Sequence, residues 1–87
     1  FDLLQFAPHL NGISGAIAAR HKFENDWQIS VVSGPAGCGL YGCIDFECPY
    51  ATYEVAIFRP NGNMTEGVKG WNTIEEVSAM MWVLSQL

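Results

Sequence analysis

The chain has 87 residues, with nine Asp or Glu, four Lys or Arg and a formal net charge of −5. Hydrophobic residues make up 49% and charged residues 15%, which excludes intrinsic disorder, a state that needs few apolar residues and many charges. Four bases cannot build a phosphate-tracking patch, which argues against direct nucleic-acid binding. The longest apolar run, Ala79–Leu84, is far short of the roughly 20 residues of a membrane-spanning helix.

The length accommodates one domain, residues 1–87. A domain of this size buries roughly two-thirds of the surface its unfolded chain exposes. Three Trp, three Tyr and five Phe are many for such a core. They either fill it generously or leave aromatic surface for a partner or a second copy of the chain.

In chain order, Phe1–Ala7 read as a lead-in and Pro8–Lys22 as a helix. Leu3, Phe6, Leu10, Ile13 and Ile17 recur at helical steps, and Pro8 suits a first turn. Arg20, His21 and Lys22 would complement the dipole at its end. Asn25-Asp26 breaks the pattern. Trp27–Ser33 alternates as a strand, with Trp27, Ile29 and Val31 on one face. Residues 34–50 form a long irregular stretch punctuated by Gly and Pro, a kind of segment that often carries function. Thr52–Arg59 is the clearest strand. Pro60-Asn61-Gly62 turns the chain into a returning strand, Asn63–Val68. A three-residue loop would pair Arg59 with Asn63, whereas a two-residue loop would pair Pro60 with Asn63 and flip the facing set. Thr73-Ile74-Glu75-Glu76 is a capping box that opens a helix from Ile74 towards Leu87. Its stripe is Val77, Met80, Met81, Leu84 and Leu87. Trp82 and Val83 fall off that stripe, so they either widen the buried face or mark a self-association surface. The expected fold is a two-layer α+β domain of order α-β-β-β-α, a three-stranded antiparallel sheet covered by an N-terminal and a C-terminal helix.

Little in the chain resembles catalytic machinery. Cys38, Cys43 and Cys48 are evenly spaced, unlike paired zinc ligands, and a fourth ligand would have to be His9 or His21. A disulfide between two of the three is an alternative. The opening Phe1-Asp2-Leu3-Leu4 has no basic leader region, so reduced thiols in a cytosol are expected. Gly34-Pro35-Ala36-Gly37-Cys38-Gly39 lacks the Lys-Ser/Thr ending of a phosphate loop. A nucleophilic cysteine needs basic surroundings, and this loop carries Asp45 and Glu47 instead. No enzyme, metal or cofactor is expected. The functional reading of the loop is a recognition tip made of Tyr41, Asp45, Phe46, Glu47 and Tyr50. Its aromatics would supply contact area and its acids would select a basic partner.

Trp27-Gln28-Ile29-Ser30-Val31-Val32-Ser33-Gly34, Tyr41-Gly42, the strand Thr52–Phe58, Asn61-Gly62, Gly70-Trp71 and Thr73-x-Glu75-Glu76-Val77 follow one another with a recognisable cadence. This cadence resembles short bacteriophage and mobile-element proteins of the anti-CRISPR, host-takeover type. The resemblance covers about the last two-thirds of the chain and rests on structural motifs. It implies stoichiometric, protein-binding inhibition of a bacterial Cas effector complex in the host cytoplasm. A homodimeric regulatory module and a small Cys-ligated metal domain are the competing expectations.

Overall fold

Strand alternation prevails over helical spacing in the first third of the chain. The computed structural model describes residues 1–9 and 11–87. In place of the helix expected over Pro8–Lys22, Ala7–Pro8 form strand β1 and Ile17–Lys22 form β2. Gly12 and Gly15 adopt φ of +82° and +84°, the left-handed region that a right-handed helix cannot use. Ile17, Ala19 and His21 alternate with Ala18, Arg20 and Lys22, a period of two that the helical spacing had masked. Leu10, placed on the expected helical face, lies outside the described residues.

Strands β3 (Gln28–Ser33), β4 (Tyr53–Phe58) and β5 (Lys69–Asn72) complete a five-stranded antiparallel sheet of order β1-β2-β3-β4-β5, followed by the one helix among the described residues, α1 (Ile74–Ser85). This corrects the expected three-stranded sheet between two helices. Ala19, Val31 and Val55 align across the three central strands, as do His21, Ile29 and Ile57. The face they share is covered by Val77, Met81 and Leu84 of α1. Full burial of Ile29, Val31 and Val55 contributes about 1.5–3 kcal/mol each. Phe1, Leu4 and Phe6 complete the cover, with the Phe1 and Phe6 rings 5.3 and 5.8 Å from Tyr53. The cover on this side thus comes from Phe1–Phe6, the expected lead-in, while the segment expected to cover the sheet as a helix is itself part of the sheet.

The turn after β4 takes the three-residue form, because the Arg59 N–H donates to the Asn63 carbonyl at 2.8 Å. The returning strand expected over Asn63–Val68 is corrected. Only Met64 bridges to Phe58, and the ladder resumes at Lys69. Thr65-Glu66-Gly67 offers no apolar alternation to bury, so beyond the Thr65 N–H, which donates to the Ile57 carbonyl at 2.9 Å, no ladder forms here. A register shift then separates the Tyr53–Asn72 and Val55–Lys69 pairs. The buried Asn72 amide donates to the Tyr53 and Lys69 carbonyls at 3.1 and 2.8 Å, satisfying acceptors that the irregular pairing leaves over.

Helix α1 begins where the capping box places it. The Glu76 N–H donates to Thr73 Oγ1, and the Thr73 N–H donates to the Glu76 carboxylate. Its far end is tied to the β2–β3 turn. The Asn25 amide donates to the Leu84 and Leu87 carbonyls at 2.7 and 2.9 Å, acceptors that a helix end otherwise leaves to water.

Candidate functional site

Residues 34–52 contain no strand or helix, yet their backbone is closely held. Cys43 and Thr52 exchange backbone hydrogen bonds of 3.1 and 3.0 Å, which continue the β4 edge into the loop. The buried Ser33 hydroxyl donates to the Thr52 carbonyl at 2.7 Å. Asp45 organises the next turn, its carboxylate accepting the N–H groups of Ala36 and Glu47 at 2.8 and 2.9 Å. Cys43 and Cys48 are joined as a disulfide, with Cα atoms 5.9 Å apart, and Cys38 is free. The pairing replaces the expectation of three reduced thiols. Cys43, Asp45 and Cys48 bring potential ligand atoms within 4.8 Å of one another, but disulfide sulfurs are not thiolates, the form that binds zinc.

The loop presents aromatic side chains outwards. Phe46 is 94% exposed at its tip, and Tyr41 and Tyr50 are also exposed. A fourth aromatic joins them from β5. Trp71 is 57% exposed and adopts φ of +60°, a conformation that is an outlier for a bulky residue. Its N–H donates to the Tyr41 carbonyl at 2.7 Å, and its ring lies edge-on to the Tyr41 ring at 6.3 Å. The Tyr41 N–H in turn donates to the Glu54 carboxylate at 3.1 Å. Gly70 makes the approach feasible, since a Cβ there would lie 2.6 Å from Tyr41 Cβ.

Trp71 closes a cleft of about 330 Å³ against Tyr50, Pro49, Glu47 and the disulfide. Of the five residues expected at a recognition tip, Glu47 and Tyr50 line this cleft directly, and Tyr41 supports it through Trp71. Phe46 stands apart on the tip. Asp45 is half-buried, and its carboxylate accepts two N–H groups of the loop backbone, which shapes the site. Trp71 and Glu54 were not anticipated as site residues. The signal available was the Gly70-Trp71 pair, where the smallest residue precedes the largest beside a turn.

Charge is distributed unevenly along the sheet. Asp45, Glu47, Glu54, Glu75 and Glu76 belong to segments 33–54 and 70–77, at the loop end of the sheet. No Lys or Arg occurs in those segments. The remaining carboxylates, Asp2, Glu24, Asp26 and Glu66, equal the four bases in number, so the formal −5 is the charge of the loop end. Among the described residues the ion pair is Lys22–Asp26, at the opposite end.

Trp82 and Val83 do not belong to this site. Both are exposed on α1, Trp82 at 67%, and Val83 lines a shallow apolar groove of about 250 Å³ with Ile57, Ala79, Met80 and Leu84. They do not widen the buried face, which consists of Val77, Met81 and Leu84. No helix among the described residues is long and apolar enough to cross a membrane. No protein-family model, curated protein or solved structure matches the chain.

Proposed function

We propose that this chain is a non-catalytic recognition module that binds a basic protein surface through the loop end of its sheet. One observation carries this reading: exposed Tyr41, Phe46, Tyr50 and Trp71 project from the end that holds all of the net negative charge. Aromatic side chains provide desolvated contact area, and the surrounding carboxylates steer a basic partner and set register. The pinned backbone adds preorganisation, since a loop that is already ordered loses little entropy on binding.

A Cas effector complex, the partner implied by the resemblance above, would present such a basic surface. The Cys43–Cys48 disulfide favours an oxidising compartment over a reducing bacterial cytoplasm. The test is quantitative co-precipitation of assembled effector complexes and, in parallel, of extracytoplasmic basic proteins, using the oxidised chain. Near-stoichiometric, salt-sensitive capture is expected for one of the two sets. The double variant Phe46→Ser with Glu47→Lys should weaken it roughly 5–10-fold. Capture that ignores both substitutions would move recognition off this surface.

The apolar groove beside Val83 and the exposed Trp82 favour a second reading, self-association through α1. Sedimentation equilibrium decides it. A dimer dissociated by Trp82→Lys supports the reading, and a monomer at high micromolar concentration removes it.

A further inference from the structure

We infer that the cleft between Trp71 and the disulfide loop is a receptor for a single arginine side chain of the basic partner. The inference rests on the recognition role proposed above and narrows it to one site and one chemical group. Three observations support it.

The first is the state of the carboxylates. Asp45, Glu54 and Glu76 each accept hydrogen bonds from backbone N–H groups. Glu75 lies in the first turn of α1, where its charge offsets the helix dipole. Glu47 uses only its backbone N–H, and its carboxylate has no ion-pair or hydrogen-bond partner among the described residues. It is the free anion of the cleft.

The second is the character of the walls. Trp71 and Tyr50, both more than half exposed, offer ring surface to a ligand. Aromatic faces attract cations, and a planar guanidinium stacks on them while its fork of N–H donors meets a carboxylate. An ammonium group lacks both the plane and the fork, so the pairing of a ring with a carboxylate favours arginine over lysine. The cleft volume of about 330 Å³ is at the lower limit for ligand pockets, suited to one side chain rather than an extended ligand.

The third is the backbone of Trp71. Its φ of +60° holds a bulky side chain in a conformation that glycine would adopt freely. Strain of this kind persists where surrounding structure enforces it, and it clusters at ligand clamps. Here the Tyr41 carbonyl fixes the Trp71 N–H, and the outcome is an indole held in solvent at the mouth of the cleft.

The test is a nuclear magnetic resonance titration of the isotope-labelled, oxidised chain with three probes: N-acetyl-arginine amide, the lysine analogue, and the neutral citrulline analogue. The arginine probe should shift the Trp71 indole N–H and the Glu47, Cys48 and Tyr50 amides saturably, with a Kd on the order of 1 mM, as expected for a ligand of roughly fifteen non-hydrogen atoms. The lysine and citrulline analogues should bind at least about 5-fold more weakly. Glu47→Gln should weaken the arginine probe several-fold. Trp71→Gly, which removes the ring and relaxes the backbone, should abolish its saturable shifts in a protein that stays folded. Equal binding of all three probes, or arginine shifts that survive Trp71→Gly, would overturn the inference. So would an absence of saturable shifts. If partner capture still responds to Phe46→Ser with Glu47→Lys in that case, the recognition role stands and only the arginine site fails. If capture is also insensitive, both fail.

Discussion

Two irregular regions flank β4, and they are built on opposite terms. Residues 34–52, before it, are tied down by a disulfide, by the Asp45 carboxylate and by backbone exchange between Cys43 and Thr52. Residues 59–68, after it, are held mostly by bonds within the segment, from Arg59 to Asn63 and Met64, from Gly62 to Arg59 and from Gly67 to Thr65, with the Thr65–Ile57 hydrogen bond and a bridge at Met64 as their ties to β4, and nearly every residue is exposed. The longer segment is the more constrained. Absence of regular structure therefore says little about restraint, and crosslinks and bonds to distant segments say more than hydrogen bonds within the segment. The loop carrying exposed aromatics is the pinned one, as preorganised recognition requires.

Removing the pins should hurt one region and spare the other. Replacing both Cys43 and Cys48 with Ser opens a crosslink of sequence separation 5. In the loop-entropy account a closure of that length is worth about 2 kcal/mol, so the unfolding midpoint should drop by roughly 8–15 °C. Asn61→Ala, in the other region, deletes an exposed side-chain hydrogen bond to the Asn63 N–H. That change should lie within about 0.5 kcal/mol of the parent. Thermal and urea denaturation of both variants measure the contrast. Similar losses would mean that the two loops are restrained alike.

How far the sequence could be read follows the same division between local and distant causes. The capping box at Thr73, the β4 alternation and the three-residue option at Arg59–Asn63 are written in consecutive residues, and each appears where it was read. The helix expected over Pro8–Lys22 gives way to strands because Leu3, Phe6, Ile13 and Ile17 satisfy a helical period while Ile17, Ala19 and His21 satisfy a strand period. Pairing with β3 decides between them, and that partner lies beyond the window of a local pattern. The candidate site divides in the same way. The aromatic residues of the 41–50 loop were visible as a cluster. The joining of Trp71 to Tyr41, across 30 positions of sequence, depends on a register shift in β5 that no local signal announces. The charge of Asp45 is legible in the sequence, whereas the two backbone N–H groups that its carboxylate accepts are not.

The smallest expected effect reports on the pinned end through its core. Tyr53 opens β4 directly after Thr52, packs against Phe1 and Phe6, and is buried. Burial disfavours the phenolate and raises its pKa above the usual value of 10.0. The folded state thus holds the proton more tightly than the unfolded chain does. Below pH 10 both states are protonated and this contribution to stability is intact. As pH rises above 10, the unfolded chain releases the proton first and binds fewer protons, so stability falls until the folded-state phenol also ionises. Tyr53→Phe keeps the ring contacts and removes the titrating group. Its stability should stay close to the parent near pH 7, and the decline above pH 10 should be shallower in the variant. Chemical denaturation at intervals between pH 7 and 11 gives both curves. Parallel curves would place the Tyr53 hydroxyl in contact with water and confine the burial supplied by Phe1 and Phe6 to the ring.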